Sequence, residues 1–252
     1  MTDTSATVGA IPPGEFRVGQ VLATSLSILF RNLFQFLLLS GLASLPYLII
    51  YANLYDQPTG AATPKFGPTF FLAILLGFVL TALCQAVVLY GAFQVMRNRS
   101  FQIGESLSKG LERFLPVVGT SLCQGLAISF GAVLLLVPGF ILLAMYYVAL
   151  PVCVVERLGP FQSLRRSGAL TKGHRWKVFG LAILLMISLG IVSSIIQALL
   201  AVFQSTAVLI AGMFIWEALA RAAEAVVAVV AYHDLRVAKE GVDIEHIASV
   251  FD

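Results

Sequence analysis

The sequence predicts an all-α fold, a polytopic membrane helix bundle, and three observations carry that prediction. Six long apolar stretches divide the 252 residues. Hydrophobic residues make up 59% of the chain and charged residues 12%, with a mean hydropathy of +0.92, whereas a soluble domain carries about 25% charged residues. Lys and Arg gather in every second gap between the stretches: of 16, only Lys65 falls in a gap on the opposite side and only Arg221 inside a stretch. A soluble fold is excluded. Because cytoplasmic loops retain Lys and Arg, the pattern predicts a multi-pass protein of the cytoplasmic (inner) membrane with both termini cytoplasmic.

Residues 1–17 begin MTDTSATVGAIPPGEF, with neither a basic n-region nor an apolar h-region, and read as a disordered cytoplasmic tail instead of a cleavable signal. Residues 18–240 form the integral membrane domain and 241–252 a cytoplasmic C-terminal tail. A span needs about 20 apolar residues. That places six transmembrane helices at 33–53, 69–95, 116–137, 139–155, 177–202 and 207–232. The segment from Tyr55 to Pro68 is the only long loop on the outer side. Pro138-Gly139 is a breaker pair that turns the third span into the fourth. The fourth span is short and contains Pro151, which leaves two arrangements open: two full crossings, or a re-entrant hairpin. Both return the chain to the same side, so the charge rule does not separate them.

The six spans pair into three hairpins, each preceded by an amphipathic stretch: VGQVLATSLSILF from Val18, IGESLSKGLERFL from Ile103 and PFQSLRRSGALTKG from Pro160. Val18, Val21, Leu22, Leu26, Leu29 and Phe30 recur at helical spacing in the first; Ile103, Leu107, Leu111 and Phe114 do so in the second. Such helices lie in the interface and bend into the span that follows. In the third, Phe161 and Leu164 are apolar, while Gly168 and Gly173 are expected to interrupt the helix. Cys84, Cys123 and Cys153 lie within apolar segments with no metal-ligand spacing and read as buried apolar residues. No metal or other cofactor is expected.

From Val137 to Phe179 the string VPGFILLAMYYVALPVCVVERLGPFQSLRRSGALTKGHRWKVF resembles the membrane domain of bacterial glycerophosphoryl diester phosphodiesterases and related stand-alone six-span proteins of unknown function. Its marks are the Pro-Gly turn, a Pro-containing span ending at Glu156, an elbow with Leu164 and Ser167, a Lys-Gly pair and an aromatic start to the next helix. The ending AYHDLRVAKEGVDIEHI, from Ala231, is similar to that family's ending. The resemblance implies a membrane domain and no hydrolase activity, because the catalytic function in the family's name belongs to a neighbouring soluble barrel. His174, His233 and His246 are not spaced as a ligand set, and no paired carboxylates stand beside a His in the soluble parts.

Three groups of residues are candidates for function. Glu217, Arg221 and Glu224 share one face of the last span, and Gln85 and Gln124 fall at similar depth by residue counting; together they form an expected intramembrane polar cluster with Arg221 near mid-membrane. A charge at the centre of a bilayer costs about 2.5–3.5 kcal/mol on insertion scales. The cluster therefore faces inward, either locking the bundle or lining a path. Arg165, Arg166, Lys172, Arg175, Trp176 and Lys177 concentrate cations beside an aromatic anchor, which fits lipid head-group contact as well as topology. Glu156, Asp234 and Arg236 are expected to form a cytoplasmic clasp. The expected partners are membrane phospholipid and a protein partner or homo-oligomer. The net charge of +3 is too small to argue for nucleic acid. The sequence thus favours a non-catalytic membrane protein organising lipid or partner proteins, possible roles being envelope or lipid homeostasis. The alternatives are a small-solute transporter or channel using Glu217 and Arg221, and a lipid-modifying enzyme, for which no residue constellation speaks.

Overall fold

The structure is a computed structural model describing residues 16–42, 68–96 and 103–241. The expected tails, up to residue 15 and from 242, lie outside the described residues, as do the second half of the first expected span and nearly all of the outer loop. In chain order the helices are α1 (Val18–Arg31), α2 (Leu33–Leu42), α3 (Pro68–Met96), α4 (Ile103–Glu112), α5 (Phe114–Leu134), α6 (Leu136–Tyr146), α7 (Ala149–Val155), α8 (Pro160–Thr171), α9 (Arg175–Ala201) and α10 (Thr206–Glu240). The described residues contain no strand. Three segments are long and apolar enough to cross a membrane: α5, the α6–α7 run Val137–Val155, and α9. The bent pair α1 and α2 makes a fourth if it is one span. The chain has the make-up of a membrane protein.

All three amphipathic stretches are helices, namely α1, α4 and α8. Between α1 and α2 the axis bends by 82° at Asn32, whose backbone N–H and Nδ2 both donate to the Ile28 carbonyl, at 3.2 and 3.1 Å. Only Arg113 separates α4 from α5. Beyond α8, Gly173 adopts φ of +92°, a conformation that a Cβ would strain, and the chain swings into α9. Gly168 does not interrupt α8. It lies inside the helix against Met145, where a Cβ would come within 3.3 Å of Cγ.

The turn between α5 and α6 is not Pro138-Gly139 but the single extended residue Leu135. Pro138 sits in the first turn of α6, where a missing N–H costs little. Gly139 lets the two helices touch: a Cβ there would stand 2.8 Å from the Ala132 Cα. At the other end of α6 the helix breaks at Tyr147 and Val148. Pro151 accounts for this, since it has no N–H to donate to the Tyr147 carbonyl and its ring crowds that group.

The core gathers at one end of the bundle. The second half of α10, from Ala222 to Leu235, packs with Val21 of α1, Val88 of α3, Val152 of α7, Leu170 of α8 and Leu181 of α9. Toward the other end α9 stands almost uncovered and presents Leu184, Ile187, Ile191, Ile195 and Leu199 outward. A continuous apolar surface of this kind is at home against lipid tails.

The close approach at the α5–α6 turn gives a stability test. Gly139→Ala should destabilise the protein in detergent by about 1–3 kcal/mol, because the added methyl meets backbone that cannot step aside. Gly125→Ala, in open space on the same hairpin, should be neutral or gain up to about 1 kcal/mol from helix propensity. Thermal unfolding of the two variants checks the contrast.

Candidate functional site

The basic residues converge where the core lies. α7 ends at Glu156, and Arg157 then takes a left-handed φ of 55°, turning the chain toward Pro160 at the start of α8. Arg113, at the start of α5, donates through Nη1 to the Arg157 carbonyl at 3.4 Å, so both ends of the central hairpin meet here. On α10, Tyr232, Arg236 and Glu240 repeat every fourth residue and share a face.

These elements meet in a closed polar ring. Arg166 Nε donates to both carboxylate oxygens of Glu156, at 3.1 and 3.0 Å, and Arg166 Nη2 pairs with Glu240 at 2.6 Å. Arg236 Nε donates to Glu240 at 3.1 Å and Arg236 Nη1 to the Tyr232 hydroxyl at 3.0 Å. Tyr232 completes the circuit by donating to Glu156 Oε1 at 2.9 Å. Two carboxylates balance two guanidinium groups. Burial works against the charge on Arg166, but Glu156 and then Glu240 outweigh it, so its pKa is raised above the ordinary arginine value. A group raised in the folded state stabilises below its unfolded pKa and stops doing so only as pH passes its folded one. Arg166 therefore holds the ring throughout any pH at which the protein is handled.

Of the expected clasp, Glu156 and Arg236 belong to this ring. Asp234 does not: it is buried and contacts His233 Nδ1 at 3.2 Å. Sequence reading placed Arg166 with the lipid contacts and missed Tyr232 and Glu240. The four-residue spacing of Tyr232, Arg236 and Glu240 was the available signal.

The elbow is fastened from below as well. Because α6 ends at Tyr146, its last carbonyls lack helical partners. That of Met145 accepts from Ser167 Oγ at 2.8 Å and Thr171 Oγ1 at 3.3 Å, and Met145 Sδ accepts from Arg175 Nη2 at 3.5 Å. The expected lipid-contact set thus divides. Arg166 and Arg175 turn inward; Arg165, Lys172, Trp176 and Lys177 are exposed. The α4 elbow is held by Tyr90 donating to Glu105 at 2.9 Å and Ser106 to Gln94 at 3.0 Å. At α1 the fastening is aromatic, with Phe16 edge-on to His174 at 6.1 Å.

The expected intramembrane cluster is only partly assembled. Arg221 Nε lies 3.8 Å from Glu217 Oε2, with Arg221 18% and Glu217 54% exposed. Gln124 Oε1 is buried without a hydrogen-bond partner among the described residues. Along α10 Arg221 and Glu224 differ in height by about one helical turn.

Cys153 is buried, its Sγ 3.5 Å from the Leu158 carbonyl, and Cys123 is partly exposed on α5. Among the described residues no three His, Cys, Asp or Glu side chains converge as a metal site. No family model matches this chain, and neither a curated protein nor a solved structure matches it.

A double-mutant cycle tests the ring. Arg166→Met leaves Glu156 with only the Tyr232 hydroxyl and Glu240 with only Arg236, and should cost about 1–3 kcal/mol, the range for removing one partner of a part-buried polar group. Arg166→Met with Glu240→Gln should cost less than the sum, with a coupling of about 0.5–3 kcal/mol. Additive effects in thermal or denaturant unfolding would show that the two side chains act independently.

Proposed function

We propose that the chain is a non-catalytic integral membrane protein of the cytoplasmic (inner) membrane that organises lipid or partner proteins from its basic end, in the service of envelope or lipid homeostasis. Its six apolar segments form three hairpins, each led in by an amphipathic elbow, with the basic end and both termini cytoplasmic. The observation that supports this best is the divided elbow between α8 and α9. With Arg166 and Arg175 held by the protein, Arg165, Lys172 and Lys177 remain exposed on the same elbow as Trp176, itself 81% exposed. An indole at head-group depth with three cations on its elbow suits the phosphate of an anionic phospholipid. The likeness to the phosphodiesterase membrane domain belongs to the same proposal.

A second reading, passage of a small solute past Glu217 and Arg221, draws on the unsatisfied Gln124 Oε1. The i, i+4 pairing of Glu217 with Arg221 on one helix, near the basic end, fits a structural role better. Arg221→Ala should then destabilise the protein, and Glu217→Ala with Arg221→Ala should hurt less than Arg221→Ala alone. A double variant that stays folded but loses uptake of a solute would support passage instead.

Each cation near a charged leaflet contributes about 1 kcal/mol, decaying over a Debye length of about 8 Å in physiological salt. Changing Arg165, Lys172 and Lys177 together to Gln should lower co-purifying anionic lipid several-fold and leave zwitterionic lipid unchanged. The wild-type excess should itself shrink in high salt. An unaltered lipid profile in the correctly oriented triple variant would reduce these residues to topology signals.

A further inference from the structure

We propose that the α5–α6 hairpin is re-entrant: it dips from the basic side to about the middle of the bilayer, and its tip lies among the acyl chains of that one leaflet. The proposal rests on the membrane orientation argued above and adds the depth of the central hairpin. Two contacts set that depth. Phe140 of α6 lies against Phe179 of α9, ring centres 5.2 Å apart, and Met145 meets Arg175 at the head of α9. So α6 runs back along the first turn of α9, antiparallel to it. Leu135 is five residues beyond Phe140, and Phe179 is three residues beyond Trp176. At about 1.5 Å per residue the tip stands about 12 Å below the Trp176 level, close to half of a hydrocarbon core about 30 Å thick.

The hairpin is nevertheless as long as a full crossing, which its other half explains. Beyond the break at Tyr147, Ala149 and Pro151–Val154 are buried in protein, and the chain continues to Glu156 in the polar ring. That part stands on the basic side of the Trp176 level, so the length is spent there and not in the outer leaflet.

The chemistry of the tip agrees independently. From Phe130 to Met145 no side chain carries a charge, an amide or a hydroxyl. Val133 is 85% and Leu135 68% exposed, with Leu134 and Val137 open beside them. The α9–α10 turn also exposes Val202 and Phe203, but unlike the α5–α6 tip it carries polar side chains, Gln204, Ser205 and Thr206, that are suited to water. A turn of four large exposed apolar residues in water would be a costly exception, whereas in hydrocarbon their side chains are at home; across the turn Leu135 N–H donates to the Gly131 carbonyl and Gly139 N–H to the Leu135 carbonyl. A hairpin ending there displaces acyl chains from one leaflet alone.

The test uses the full chain with Cys84, Cys123 and Cys153 changed to Ala, and single cysteines at Leu135, Val133, Ser205 or Gly241. A membrane-impermeant maleimide is applied to right-side-out and inverted vesicles, and nitroxides at the same positions are read for oxygen against nickel-chelate accessibility. Ser205→Cys should label only from outside and Gly241→Cys only from the cytoplasmic side. Leu135→Cys and Val133→Cys should label from neither, with nitroxides reporting a depth near the midplane. Labelling of Leu135→Cys and Val133→Cys from outside, or nitroxides in the far head-group region, would establish a full crossing and overturn the proposal. Labelling from the cytoplasmic side would overturn it too, by placing the hairpin outside the bilayer. Controls that label on the wrong sides would instead overturn the orientation on which it rests.

Discussion

Arg166, held between Glu156 and Glu240, is the interaction on which the arrangement of the basic end depends. Its guanidinium joins the residue that caps the end of α7 to the last turn of α10, elements 84 residues apart in sequence when measured from Glu156 to Glu240. A half-buried cation is costly there without its carboxylates, because water reaches it poorly. Tyr232 and Arg236 close the circuit, so every strong donor and acceptor in the ring has a partner. Because α10 also packs on α1 and α3, fixing its end positions those helices relative to α7 and α8.

The ring works only because helices break nearby. Pro151 interrupts the α6–α7 run, and the break frees the carbonyls of Tyr146 and its predecessors. Ser167 and Thr171 use the one at Met145, which seats α8 against the hairpin and aims Arg166 at Glu156. The three elbows look alike as amphipathic helices but are fastened by different means. Backbone capture holds α8, side-chain pairs at Glu105 and Ser106 hold α4, and ring contact and apolar burial hold the start of α1. A shared sequence period therefore specifies the helix and its wet and dry faces, while the fastening is particular to each.

That distinction explains what could be read from the sequence. Helical class, the three elbows and most helix boundaries follow from hydropathy and period, which are local properties. The turn at Leu135 escaped because Pro138-Gly139 looks like a breaker, yet Pro is accepted in the first turn of a helix and Gly139 is needed for contact with Ala132. The protein-covered part of α10 escaped for another reason. Val226, Val227, Val229 and Val230 are as apolar as a lipid-facing run, but what covers them is protein, and composition does not distinguish the two. Among the charged residues, Glu156 and Arg236 were legible as a clasp. Arg166 was not, because a cation beside Arg165 in a basic elbow carries no local mark that it turns inward.

The two ends of the bundle are consequently governed by different forces. At the basic end, apolar burial and the ring set the geometry inside the protein, so exposed Arg165, Lys172 and Lys177 are presented from a rigid base. Toward the other end, α9 is held chiefly by α10, with Leu200 beside Gly212, and its remaining surface is apolar and open. There the packing partner is whatever surrounds the protein, and the tilt of α9 follows from fitting its apolar length to that layer. A chain built this way keeps its cation-bearing elbow fixed while its outer helices adjust. That division suits the proposed contact with lipid, because head-group recognition requires fixed charges and a bilayer of varying thickness requires compliant spans.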